Sequence, residues 1–268
     1  MPDSPPRPSG AAPPAYAPER GGPLAQTDPA DVRALVRRLR PVATDRPLVR
    51  LGPDGDGGYL VPDDLGGVAA CFSPGVSTVS GFERDCAERG LDVFLADKSV
   101  DGPAEPHPRF HFLPRYVGAT ADDDFTTLDA WVAESGVDPT ADLVLQMDVE
   151  GFEYEALLAA SPALLRRFRV VALEAHFLEH LWDRAFFHVA SRTFAKLLAG
   201  HACVHAHPNN YGGVYERAGL AIPGAVEFTF LRRDRIGRSE PAARFPHPLD
   251  RDNGADVPPV ALPAWWYA

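Results

Sequence analysis

Cysteine is scarce: Cys71, Cys86 and Cys203 are the only three in 268 residues, too few and too scattered for a disulfide framework or a cysteine-rich zinc site. A reducing compartment is the natural reading. No stretch approaches the roughly 20 consecutive apolar residues of a membrane span, and the opening MPDSPPRPSGAAPPAYAPERGGP has no apolar core of a secretory signal. The expectation is a soluble, cytoplasmic protein. Positive charge is also short, since 26 Lys and Arg face 37 Asp and Glu, for a net charge of −11. That balance argues against nucleic acid or an anionic membrane as partner and turns attention to small-molecule chemistry.

What is present is a globular balance, 45% hydrophobic and 24% charged, in a length that leaves room for one large domain, or two small ones, plus a tail. Residues 1–27 are dominated by Pro, Ala and Gly and offer almost nothing to bury, so a disordered tail is expected there. Asp28 followed by Pro29 reads as a helix start, with Val32, Leu35, Val36 and Leu39 at helical spacing. The run RLGPDGDGGYLVP, 50–62, reads as a hairpin or turn. From residue 68 onward short apolar runs alternate with helical stretches near 81–89, 127–135, 152–159 and 181–199. This pattern predicts an α/β domain over 28–238, a parallel sheet with helices on both faces. Residues 239–268, rich in Pro and Arg and ending in Trp265, Trp266 and Tyr267, read as a loose extension that docks by its aromatics.

In open parallel sheets ligands bind beyond the carboxyl ends of the strands. The first such junction, CFSPGVSTVSGFE, has Gly75 where backbone must approach a ligand. It is not a GxGxxG turn, and Ser80 with Glu83 also reads as a helix capping box. The next strand, LDVFLAD, ends at Asp97, positioned to accept hydrogen bonds from ribose hydroxyls. Three later strands end alike: Asp148 and Glu150 close one, Glu174 and His176 another, and His205, His207 and Asn209 a third. Within a strand, residues spaced by two share a face. Any single member has an ordinary structural reading as a cap, a turn or a satisfied core histidine, as does Asp129 in a capping box with Thr126. Polar pairs at three strand ends together imply one site, because buried carboxylates require hydrogen bonds, a metal or a ligand.

The run LVLQMDVEGFEYEALL resembles the signature of the FkbM-type S-adenosylmethionine-dependent methyltransferases, and DGGYLVP, TLD and HPNN followed by EFTF are similar to other segments of that family. The resemblance spans about residues 50–233. It implies the Rossmann-like class I methyltransferase sheet, mostly parallel with one antiparallel strand, here AVEFTFLRR. It also implies S-adenosylmethionine as cofactor, with Ser73, Gly75 and Glu83 bordering its methionine and ribose, Asp97 its ribose, and Asp148 and Glu150 at the reacting end. The Ser73-Pro74-Gly75 turn departs from the fuller glycine-rich turn of class I enzymes.

An alcohol is a poor nucleophile until a base or a metal draws its proton away. His176 and His207 are the available bases, with pKa values naturally near the working range. Asp148, Glu150 and Glu174 can orient such a histidine, and Asp148, Glu174 and His176 form a ligand set for a divalent cation. Either arrangement suits O-methylation of a sugar hydroxyl, the substrate class the resemblance implies. A metal-dependent hydrolase on the same sheet, or a silent ligand-binding module, are the alternatives. The sequence leaves the acceptor and the oligomeric state open.

Overall fold

A computed structural model of the chain describes residues 25–76 and 78–268. The expected tail therefore lies outside the described residues except at its end, where Gln26 bridges Asp183 and the Thr27 amide donates to the Trp182 carbonyl. Helix α1, Pro29–Arg38, starts as the sequence dictates, with the Asp28 carboxylate accepting from the Ala30 amide at 2.7 Å and Pro29 in the first turn. It buries Val32, Leu35 and Val36.

The central sheet has seven strands: β1 Ala70–Pro74, β2 Asp92–Ala96, β3 Phe110–Leu113, β4 Leu143–Met147, β5 Phe168–Ala175, β6 His201–Pro208 and β7 Val226–Arg232. Their order across the sheet is β6-β7-β5-β4-β1-β2-β3. All neighbouring pairs are parallel except those made by β7, which runs antiparallel between β5 and β6. This is the Rossmann-like methyltransferase arrangement expected above. Helices α2 Gly81–Glu88, α3 Leu128–Glu134, α4 Glu153–Ala159, α5 Pro162–Leu165 and α6 Arg184–Leu198 fall between the strands.

The pleat sorts the strand side chains into two apolar layers. Leu143, Leu145 and Met147 of β4 join the layer containing α1, α3, α4 and α6 residues, where Phe194 of α6 is fully buried. Val144 points the other way, into a second layer with Phe82 and Cys86 of α2 and with Tyr59 and Val61. The last two belong to the expected hairpin, Leu48–Leu51 paired with Tyr59–Pro62, which caps that face. Thr229 of β7 ties it down by donating its hydroxyl to the Leu60 carbonyl at 2.6 Å. The C-terminal stretch is held along its length rather than loose. Ser239–Pro241 pairs with Val42–Thr44, and the indoles of Trp265 and Trp266 both donate to the Ala221 carbonyl. Among the described residues no helix is long and apolar enough to cross a membrane.

Candidate active site

The carboxyl ends of β1, β2 and β4 meet at a cavity of about 380 Å³ lined by Gly75, Asp97, Tyr116, Asp148, Glu150 and Phe152. Gly75 has φ +87°, and its backbone lies against that of Asp148. Asp97, at the end of β2, accepts from the amide and hydroxyl of Ser99 at 2.7 Å, a turn that fixes its carboxylate at the cavity wall.

From Asp148 a row of ionisable groups crosses the sheet on one face. Met147 is the register partner of Leu173, so Asp148 stands beside Glu174. Glu174 is opposite Glu227, and Glu227 is opposite His207. His176 gathers the near half of this row. Its Nε2 lies 3.4 Å from Glu150, 3.7 Å from Asp148 and 3.7 Å from Glu174, and its Nδ1 lies 3.4 Å from Glu153. Glu153 is fully buried at the start of α4, where it accepts from the amides of His176 and Gly151 at 2.7 and 2.8 Å. Asn209 donates to Glu174 at 2.6 Å, and the Tyr59 hydroxyl reaches Asp148 at 3.5 Å.

The electrostatics follow from burial and crowding. Desolvation, then the neighbouring Glu174, raises Asp148 well above the usual carboxylate range. Burial and Glu227 push Glu174 up to about 7, against the opposing pull of His176. Burial alone would lower His176, yet Glu153, Glu174 and Asp148 outweigh it and raise the imidazole to about 9. A histidine near its ordinary value is therefore not what the site holds: Glu153, Glu174 and Asp148 favour the protonated imidazole.

Asp148, Glu150, Glu174 and His176 thus converge. His207 does not join them, since its Nε2 faces the Arg251 carbonyl at 3.0 Å and its Nδ1 lies 3.5 Å from Asp250. It occupies the far end of the row with two Glu residues between it and Asp148. Ser73 and Glu83 do not line the cavity either. Both are buried behind it, with the Ser73 hydroxyl 2.5 Å from Glu83 and 2.5 Å from Gln146. The Ser80–Glu83 capping box is absent: Glu83 turns to Ser73, and the Ser80 hydroxyl accepts from the Ala104 amide. At α3 the cap is Thr127 rather than Thr126, and Asp129 accepts from the Ser161 amide. Glu150 shares no strand with Asp148, because β4 ends at Met147; it reaches His176 from a turn at φ +53°.

Sequence reasoning missed Glu153, although it stands in the DVEGFEYE run, because a glutamate in the first helical turn has an ordinary dipole-related reading. It also missed Glu227 and the C-terminal contacts. Asn253 donates to Glu227 at 2.7 Å and to Asp56 at 3.1 Å, and Asp250 lies 2.8 Å from His205. Alternating polar residues within the apolar EFTF strand were the available signal for Glu227. Nothing local marked Asp250 or Asn253.

Residues 90–196 match the family described as the methyltransferase FkbM domain. No curated protein matches the chain in sequence. The matched stretch runs from β2 into α6 and contains Asp97, Asp148, Glu150, Glu153, Glu174 and His176. It favours group transfer over the hydrolytic and silent alternatives. The sheet order and the family match agree over the strands that build the acidic cluster, so residues 90–196 are an FkbM methyltransferase domain.

Proposed function

We propose that the protein transfers a methyl group from S-adenosylmethionine to a hydroxyl of a sugar, glycan or related metabolite. The observation that carries this reading is that Asp148 belongs both to the cavity between β1, β2 and β4 and to the cluster around His176. A cofactor pocket and a proton-handling group therefore adjoin.

The cavity fits the cofactor in size and lining. Its volume is within the range of small-molecule sites, Asp97 ends β2 where a ribose is bound in open α/β sheets, and Tyr116 and Phe152 offer exposed ring faces for a base. When bound, S-adenosylmethionine supplies a methyl group on a positively charged sulfur. Asp97 would hold the ribose, the Gly75 turn would let the backbone approach, and Asp148 and Glu150 would favour the cationic end. Ser73 and Glu83 would support this wall from behind.

On the acceptor side His176 takes the hydroxyl proton. With a cationic cofactor bound, Asp148 would hold the imidazolium less strongly, which would bring the raised His176 pKa toward the working range. Glu153 fixes the His176 backbone, and Glu174, itself held by Asn209, orients the ring. The ligand atoms of Asp148, Glu174 and His176 lie within 4.8 Å of one another, and Asp148 Oδ1 is buried without a hydrogen-bond partner. As the alternative to proton transfer by His176, this oxygen and nitrogen set is chemically suited to a divalent cation of the magnesium or manganese type, which would polarise the acceptor hydroxyl instead.

Calorimetric titration of the purified chain with S-adenosylmethionine tests the reading. Saturable binding is expected, and the absence of heat at millimolar cofactor overturns it. Incubation with cofactor and a panel of sugars and glycans, read by mass spectrometry for one added methyl group, identifies the acceptor. Repeating it with a chelator and with added manganese decides the metal.

A further inference from the structure

A second cavity, of about 280 Å³, lies away from the acidic cluster, between β6, the Val42–Thr44 strand and the C-terminal stretch. Arg46, His205, Arg244 and His247 line it, and no Asp or Glu does. In a chain of net charge −11, a cavity walled by four nitrogen-rich side chains without a carboxylate runs against the average surface.

The groups are not consumed by one another. The His205 ring is fixed by its Nε2 contact with Asp250 at 2.8 Å and stacks on Phe245, with ring centroids 6.2 Å apart. His247 accepts from the Leu249 amide on Nδ1, which leaves its proton on Nε2 as a donor. Asp64 is taken by Arg235 through two hydrogen bonds of 2.7 and 2.8 Å and lies 3.8 Å from Arg46, whose Nε is buried without an acceptor. Arg244 is exposed and has no ion-pair partner among the described residues. Val42, Leu48, Val204 and Phe245 supply an apolar flank. Two guanidinium groups and an imidazole donor beside such a flank supply the donor chemistry that recognises a tetrahedral oxyanion carried on a small body.

We propose that this cavity is a binding site for a small oxyanion of the phosphate class, distinct from the methyl-transfer site. The proposal does not rest on the methyltransferase reading, because none of the four groups lines the cofactor cavity. Its test is calorimetric titration of the full chain with inorganic phosphate at low ionic strength, with acetate as the second arm. One saturable phosphate site is expected, weakened about tenfold or more by Arg46→Ala and by Arg244→Ala, abolished by Arg244→Glu, and partly retained by Arg244→Lys. Arg244 is a surface side chain, so its variants keep the fold, which circular dichroism checks. No saturable heat, phosphate binding indifferent to Arg244→Glu, or acetate binding as tight as phosphate each overturns the proposal.

Discussion

A side chain at Gly75 would grow into the carbonyl oxygen of Asp148, since an added Cβ there comes within 1.6 Å of it. The contact is between two backbones at neighbouring strand ends, and neither can yield without displacing the sheet. Together with φ +87°, it explains a glycine at this point of the turn. Gly75→Ala is expected to cost about 1–3 kcal/mol in a urea unfolding series and to weaken S-adenosylmethionine binding in calorimetry. Wild-type affinity in the variant would remove Gly75 from the cofactor wall.

Asp148 and His176 separate chemistry from stability. Burial and Glu174 keep the Asp148 carboxyl well above its ordinary pKa, so its ionised form is not what holds the fold together. Asp148→Asn and His176→Ala are expected to unfold within about 1–2 kcal/mol of the parent while turnover falls about a hundredfold or more. Methyl-transfer assays alongside thermal melts check this. Undiminished turnover in both variants would make the cluster structural.

The Ser73 hydroxyl has one proton and two oxygen neighbours, Glu83 and Gln146, each at 2.5 Å. Both contacts are satisfied when Glu83 carries a proton or Gln146 presents its amide nitrogen, and burial does raise the Glu83 pKa. Glu83→Gln is therefore expected to be neutral within about 1 kcal/mol, and Glu83→Ala to cost about 2–4 kcal/mol. Chemical denaturation of the two variants distinguishes them.

Stability is expected to fall on acidification below about pH 4. The Arg235 hydrogen bonds hold Asp64 below its ordinary value. Burial alone would raise Asp142 and Asp250, but Arg232 and Arg169 at the first, and His205 and His207 at the second, overcome it and lower both. Folding thus favours the ionised carboxylates. Their contribution is complete above the unfolded value of 3.8 and is lost as pH drops through the lower folded values. Melts between about pH 6 and pH 2 should show the loss below about pH 4, with a shallower slope in Asp250→Asn.

Asn253 spends both amide hydrogens on carboxylates from two distant segments, Glu227 and Asp56. Asn253→Ala is expected to cost about 1–3 kcal/mol. Amide exchange should accelerate at 53–58, the tip of the hairpin that covers the acidic row. Unchanged exchange there would mean that the C-terminal stretch does not hold the hairpin.

The sheet and most helices were readable because apolar runs and helical periodicity are local, and Asp28 with Pro29 encodes a helix start in two adjacent residues. The convergence of Asp148, Glu150, Glu174 and His176 was readable because strand ends in a parallel sheet share one edge. The displacement of His207 was not, since its partner Asp250 lies 43 positions further on in a stretch with no regular structure around it. Glu83 misled for a related reason. Its spacing from Ser80 matches a cap, and only the tertiary approach of Ser73 and Gln146 draws it away.

The position of β7 between β5 and β6 has a consequence for biosynthesis. β6 leaves the ribosome before β7 and has no neighbour in the sheet until β7 arrives, because β7 lies on its inner side and nothing in the central sheet lies on its outer side. The half of the molecule that ends at β5 can zip up as it emerges, whereas this edge must wait for the last central strand. During that interval β6, eight residues long and fully buried in the finished protein, has both edges open to mispairing.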